Sequence, residues 1–256
     1  MNLSRFDKIR RVSWHAYVNS TMFDHLLSQI DIRLIWFCGA LLFIDIFFMI
    51  VFAIHEIYVF FGNERLPRIG LEWNIENDWS YAERFGYLKT LLILASLISI
   101  PRVWNRPVYL AFLAIFAFAL VDDALQLHEG FGGWIAAALD LQPLLGLRAR
   151  DPGELLVWTL AGIPLLGAAV AAIVGSPEED RRNGILLLAG LAVLASFAVG
   201  ADMAHVALKS AFRGANDLLT LIEDGGEQIT LSLICGLAIL IHREVRGREH
   251  RRSALG

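Results

Sequence analysis

The sequence predicts an all-α polytopic membrane helical bundle of about six transmembrane helices, with the N- and C-termini both cytoplasmic. Three observations carry this expectation. The 256 residues are 56% hydrophobic, with a mean hydropathy of +0.55, above the apolar share of an ordinary soluble domain. The excess is gathered in blocks long enough to cross a bilayer, which takes about 20 residues. Lys and Arg are also spread unevenly over the connecting segments. With the N-terminus inside, the inner segments hold twice as many as the outer ones, the bias that orients membrane proteins.

Residues 1–33 mix basic and polar side chains with Trp14, Tyr17, Phe23, Leu26 and Leu27, which suits an amphipathic helix on the inner surface. The first apolar run, 34–61, starts too late and runs too long for a signal-peptide core, so it is an uncleaved first span. It is interrupted by Asp45, His55 and Glu56. A polar stretch, 62–84, precedes a second span at 86–100, which stops at Pro101-Arg102 with Trp104 at an interface. The third span is 107–129. A mixed segment follows, 130–153, with a short interfacial helix expected at 134–139. Asp151-Pro152-Gly153-Glu154 carries helix-start chemistry and opens the fourth span, 154–175, in which Pro164 predicts a kink. After a hydrophilic loop, 176–182, come a fifth span at 184–207 and a sixth at 216–242. The transmembrane domain is thus 34–242, and 243–256 is a basic cytoplasmic tail.

Several function classes drop out. The net charge of −4 comes with no basic stripe for nucleic acid, and there is no nucleotide-binding loop. Cys38 and Cys235 lie singly in apolar runs without a CxxC. No G-x-S-x-G elbow surrounds Ser96, Ser99, Ser196 or Ser232.

The ionisable residues inside the spans need partners, because a charge in hydrocarbon costs several kcal/mol. At about 1.5 Å per residue from each cytoplasmic helix end, Asp122 and Glu227 lie at roughly 24 Å and Asp202 at roughly 28 Å. His55, His128 and His205 fall near 33 Å and Glu154 near 34 Å on the same scale. Five helices therefore bring carboxylates or imidazoles to the outer third of a core about 30 Å thick. Asp122, Gln126 and Glu129 share one helical face, as do Asp202 with His205 and Glu223 with Glu227. His128 and Asp123 sit about 120° and 100° around the helix from Asp122; His128 joins the group only if the helix distorts near Gly130. Gly225-Gly226 beside the acids allows close approach or a helix break.

The segments DDALQLHE at 122–129, DPGELL at 151–156 and EDGGE at 223–227 resemble those of an uncharacterised group of bacterial multi-pass membrane proteins. The resemblance implies a bacterial cytoplasmic (inner) membrane location and assigns no activity.

Carboxylates with a few imidazoles suit a divalent metal such as iron, zinc or manganese. The ligand pool is Asp122, Glu129, Asp202, His205, Glu223 and Glu227, with His55, His128, Asp123, Glu154 and Asp224 near enough in depth to join it. An open coordination position would let such a site act on a lipid-like substrate. Two other readings stay open. In one, the acids conduct a cation or protons. In the other they pair with Arg84, Lys89, Arg148, Arg150 and Lys209 as assembly contacts. The expected surroundings are the lipid bilayer, without nucleic acid or nucleotide.

Overall fold

The computed structural model describes residues 28–60, 70–143, 147–209, 211–212 and 214–255. The amphipathic segment expected before residue 28 lies outside the described residues. Helix α1 (Ile32–Phe60) is capped by Asp31, whose carboxylate accepts the Leu34 N–H at 2.8 Å and pairs with Arg243 at 2.8 Å. A single-turn 3₁₀ helix, Leu71–Trp73, leads to α2 (Tyr81–Ile98), capped by Ser80 accepting from Glu83 N–H at 3.2 Å. Helix α3 (Pro107–Leu125) starts on a proline, which fits the first turn because its missing N–H has no partner there anyway. Then follow α4 (Leu127–Ala138), α5 (Asp151–Gly175) and α6 (Glu178–Ala195). A π-helical turn, Ser196–Ala201, joins α6 to α7 (Asp202–Leu208). The last helix, α8 (Ala215–Leu255), has 41 residues, about 60 Å, twice the hydrocarbon thickness. Among the described residues there is no strand.

Helix α8 forms the spine. Helices α1, α2 and α6 and the π turn pack along it, α3 lies against α2 and α5, and α4 folds back on α5. The core is aliphatic and aromatic: Ile93 and Leu97 of α2, Phe112 and Phe116 of α3, Leu187 of α6, and Ile234 and Ile241 of α8. Outside it lies a belt of exposed apolar side chains, including Phe43, Phe47, Leu91, Leu160, Ile163 and Val193. Trp36 and Trp104, 73% and 74% exposed, rim one end of that belt, and Trp134 the other. Aromatic rims around an apolar band are what the two headgroup regions select.

Five helical stretches are long and apolar enough to cross a membrane: Ile32–Tyr58, Pro107–Leu125, Asp151–Gly175, Glu178–Leu208 and Ala215–Ala254. These mark the chain as a membrane protein. Helix α2 has 18 residues and carries Glu83, Arg84 and Lys89, which sets it apart by composition from the other five.

Several boundaries differ from the sequence reading, and the last helix runs on through the expected tail to Leu255. The third apolar run does not continue as one helix to Glu129. It ends at Leu125, and Gln126 takes a left-handed conformation (φ 51°) that turns the chain into α4. The interfacial helix expected at 134–139 is the second half of that twelve-residue helix. The supposed loop at 176–182 shrinks to Ser176-Pro177, because Glu178, Glu179 and Asp180 form the first turn of α6, where carboxylates meet the positive end of the helix dipole.

The two ends of the bundle differ in chemistry. At the end shared by Asp31, Trp36 and Trp104, polar groups lock together. Arg106 grips Asp180 at 2.6 Å and Glu249 at 2.7 Å. Tyr109 donates to Asp180 at 3.1 Å, and Asn183 donates to Tyr109 at 3.1 Å and to Glu244 at 3.0 Å. Arg182 pairs with Glu244 and Arg248 with Glu179. At the opposite end the described residues surround a cavity instead.

Candidate functional site

The end opposite the locked network holds, among the described residues, a cavity of about 320 Å³. Its rim is supplied by the segment before α2 (Glu76, Asp78) and by Glu83 at the start of α2. The α3–α4 corner gives Asp123, His128 and Glu129. Helices α5 and α7 give Glu154 and Asp202, and α8 gives Glu223, Asp224 and Glu227. Asp45 forms part of the floor. Arg148 and Arg150 also reach the wall, but each is committed. Arg148 Nε lies 2.8 Å from Asp151, while Arg150 lies 3.2 Å from Glu154 and 3.7 Å from Glu129. Among the described residues no base pairs with Asp123, Asp202, Asp224 or Glu227. The cavity is thus an acidic vestibule with uncompensated carboxylates on three sides.

The corner at Gln126 decides which acids face it. A left-handed non-glycine residue costs about 1–2 kcal/mol, and Asp122 offsets this by capping α4. One carboxylate oxygen accepts the His128 N–H at 3.0 Å and the other sits 2.9 Å from His128 Nδ1. Asp122 is therefore fully buried as a cap and does not line the cavity, while its neighbour Asp123 does. The shared face expected for Asp122, Gln126 and Glu129 does not exist, because the helix that would carry it ends first. His128, which straight-helix geometry turned away, is swung to the wall, where its ring also meets Trp158 at 5.9 Å.

A close backbone crossing makes that corner possible. At Gly132 of α4 an added Cβ would lie 2.6 Å from Glu154 N, and at Gly153 of α5 it would strike the Gly132 carbonyl. Only glycine at both places lets α4 lie on α5 and hold Glu129 and Glu154 on one wall.

The π turn and α7 set the opposite wall. Asp202 faces the cavity. His205, three residues on, turns to α8, with Nδ1 2.5 Å from Glu223 and Nε2 3.2 Å from Asn216. The expected Asp202–His205 pair is thus split between lining and clamping. Helix α8 runs unbroken through Gly225-Gly226. Those glycines receive side chains rather than a backbone, Met49 of α1 against Gly225 and Phe197 of the π turn against Gly226. His55 bonds to Glu56 at 2.8 Å and is not part of the wall.

Below the acids lies an ion pair that the spacing arguments did not join. Lys89 Nζ is 2.8 Å from Asp45 Oδ1 and donates to the Gln228 carbonyl at 2.7 Å; Ser232 donates to Asp45 Oδ2 at 2.5 Å. Both side chains are fully buried. Gly86 allows the arrangement, since an added Cβ there would meet the Gln228 amide at 3.0 Å. Depth alone carried a signal for this pair. Lys89 is 11 residues before Ile100 and Asp45 is 13 after Ile32, which places each about 17–20 Å from the same end. Beneath the pair, Leu41, Ile93 and Cys235 belong to the buried apolar core that closes the bundle.

Of the ligand pool named from sequence, Glu129, Asp202, Glu223 and Glu227 line one cavity with Asp123, His128, Glu154 and Asp224, whereas Asp122, His205 and His55 do not. Among the described residues no three His, Cys, Asp or Glu side chains are grouped closely enough to hold one metal ion.

No curated protein and no solved structure matches the chain at a significant level. A family model does, over residues 81–241, a stretch that includes Lys89 and every acid of the vestibule wall from Glu83 onward, and by that match the chain belongs to the family described as a domain of unknown function (DUF8692).

Proposed function

We propose that this protein is a cation or proton transporter of the bacterial inner membrane. The vestibule admits and concentrates cations, and the Asp45–Lys89 pair at its floor exchanges a proton. One observation carries this reading: among the described residues Asp123, Asp202, Asp224 and Glu227 have no basic partner, yet surround a cavity that leads to a buried ion pair. Carboxylates crowded at membrane depth repel one another until a cation or proton joins them. On this reading α2 is the sixth span, tolerated in hydrocarbon because Asp45 neutralises Lys89. The acidic mouth is extracytoplasmic, because the opposite end carries the Arg-rich segments. On this reading the locked network at that end closes the bundle on the cytoplasmic side.

The test is proton flux in proteoliposomes loaded with a pH-sensitive dye. Asp45→Asn is expected to abolish flux, and Asp123→Asn with Glu227→Gln to reduce it about tenfold, a loss of about 1.4 kcal/mol in the rate-limiting step. Wild-type flux in both variants would defeat the proposal.

A metal-dependent membrane enzyme acting on a lipid-like substrate is the second reading. The acid–imidazole pairs Asp122–His128 and Glu223–His205 favour it, since such pairs orient metal ligands. It needs the vestibule acids to close on iron, zinc or manganese. Stoichiometric metal in protein purified without chelator, lost in Asp202→Ala and His205→Ala, would support it over transport. The assembly reading accounts for Asp45, Asp151, Glu129 and Glu154, each beside a base, and leaves unexplained the four acids without a basic partner among the described residues.

A further inference from the structure

The opposite end of the bundle carries a second pocket, unrelated to the vestibule. It is an open hollow of about 510 Å³ between the turn after α2 and the final turns of α8, bounded by Pro101, Arg102, Arg246, Glu249, His250 and Arg252. Its charge is predominantly positive. The carboxylate within it, Glu249, is shared by Arg102 at 2.8 Å and Arg106 at 2.7 Å. That leaves Arg246 as a surplus cation and Arg252 in one loose, exposed pair. Arg246 is exposed and, among the described residues, has no acidic partner. Arg252 is 67% exposed and only 3.6 Å from the half-exposed Glu179. Arg246 and His250 are one helical turn apart and so share a face of α8.

The pocket's height in the bundle says what meets it. Arg102 contacts Glu249, so the turn and this part of α8 lie at one level. Two residues further on, Trp104 is 74% exposed, in the position of an interfacial anchor. The exposed apolar residue Ile98 lies just before the turn on α2. A pocket with arginine guanidinium groups around it, apolar surface on its membrane side and a tryptophan at its level matches a phosphate group that brings acyl chains with it. Guanidinium forks complement phosphate oxygens, and basic pockets between membrane helices at this depth take anionic headgroups.

We infer that the Arg102–Arg246–Arg252 pocket is a binding site for the headgroup of an anionic phospholipid. The lipid fastens the C-terminal half of α8 to the α2–α3 turn by bridging Arg102 and Arg246. This inference does not depend on what the vestibule does.

The test uses the full-length protein purified in neutral detergent, with binding read by native mass spectrometry and by the shift in melting temperature. The probes are dioleoyl-phosphatidylglycerol, dioleoyl-phosphatidylcholine and sodium phosphate. Phosphatidylglycerol is expected to stay bound and raise the melting temperature, while phosphatidylcholine and phosphate do neither. Each arginine near a membrane surface is worth about fivefold in affinity for anionic lipid, so Arg246→Ala with Arg252→Ala should weaken binding about twenty-five-fold. Arg246→Ala alone should weaken it about fivefold, and because Arg246 is exposed and bears no ion pair among the described residues that variant keeps its fold. Arg251→Ala, one residue outside the pocket, should bind as wild type. Unchanged phosphatidylglycerol binding in Arg246→Ala would overturn the site. An equal loss in Arg251→Ala would show only diffuse attraction and overturn it too. Full stabilisation by sodium phosphate alone would replace the lipid with a soluble anion and overturn the assignment.

Discussion

Lys89 is held by one carboxylate, one carbonyl and the packing around them, and its charge is tolerable in the apolar interior only because all three are in place. Removing one partner of such a pair leaves a bare buried charge and typically costs about 3–5 kcal/mol, whereas replacing both by apolar groups of similar size is near neutral. Lys89→Met is therefore expected to lower the unfolding temperature of the purified protein sharply, and Lys89→Met with Asp45→Leu to recover most of the loss. The double variant also separates roles: restored stability with no proton flux would place the pair in function as well as in folding. The pair was legible only in part. Hydropathy exposed both residues as misfits, and their matching depths followed from counting. That they face each other depends on the rotation of α1 and α2 about their axes, which neither helix's own pattern fixes. Asp122 teaches the complementary lesson. Its spacing to Glu129 pointed to one shared face, but the residue acts as a cap on α4, and Asp123 takes the place expected for it.

Among the elements, the α4–α5 crossing has the least freedom. Gly132 and Gly153 meet backbone to backbone, and no side-chain shift can make room for a methyl group there. Gly153→Ala is expected to destabilise the protein by about 1–3 kcal/mol, the usual range for overpacking, and to open the wall that holds Glu129 and Glu154. Gly162→Ala, in the same helix but with nothing within 4 Å of an added Cβ, is expected to be neutral or to stabilise by about 0.5–1 kcal/mol through helix propensity. Thermal melts of the two variants side by side check both. The sequence made α5 easy to place through Asp151-Pro152 and made the short helix before it only half visible. A twelve-residue helix that folds back on its neighbour has no span-length apolar run, and its start depends on Asp122, six residues upstream of His128. The π turn at Ser196–Ala201 was invisible for a similar reason. Its residues are ordinary helix formers, and the contact that the turn makes, Phe197 against Gly226 of α8, joins segments distant in the chain.

For the molecule as a whole, the charge asymmetry makes a prediction about sidedness. With the locked end cytoplasmic, Ser253→Cys should react with a membrane-impermeant maleimide only after the membrane is opened, and Asp78→Cys should react in intact spheroplasts. Cys235 is buried and Cys38 half-buried, so the background from native thiols is low, and Cys38→Ser removes what remains. Labelling of both sites from one side would mean an odd number of crossings, which would remove α2 or another helix from the membrane.

What the sequence determined by itself was whatever is additive along the chain. Apolar block length and lysine–arginine counts are sums over neighbouring residues, so they gave the membrane class, the helical architecture, the positions of the long spans and the gathering of acids towards one end. The tertiary structure alone decided which of those acids share a cavity, that Asp122 and His205 spend their side chains on holding helices, and that Asp45 meets Lys89. Those outcomes rest on helix rotation, on one left-handed residue at Gln126 and on glycine contacts between distant segments, where a shift of a single helical position exchanges a cavity wall for a buried cap.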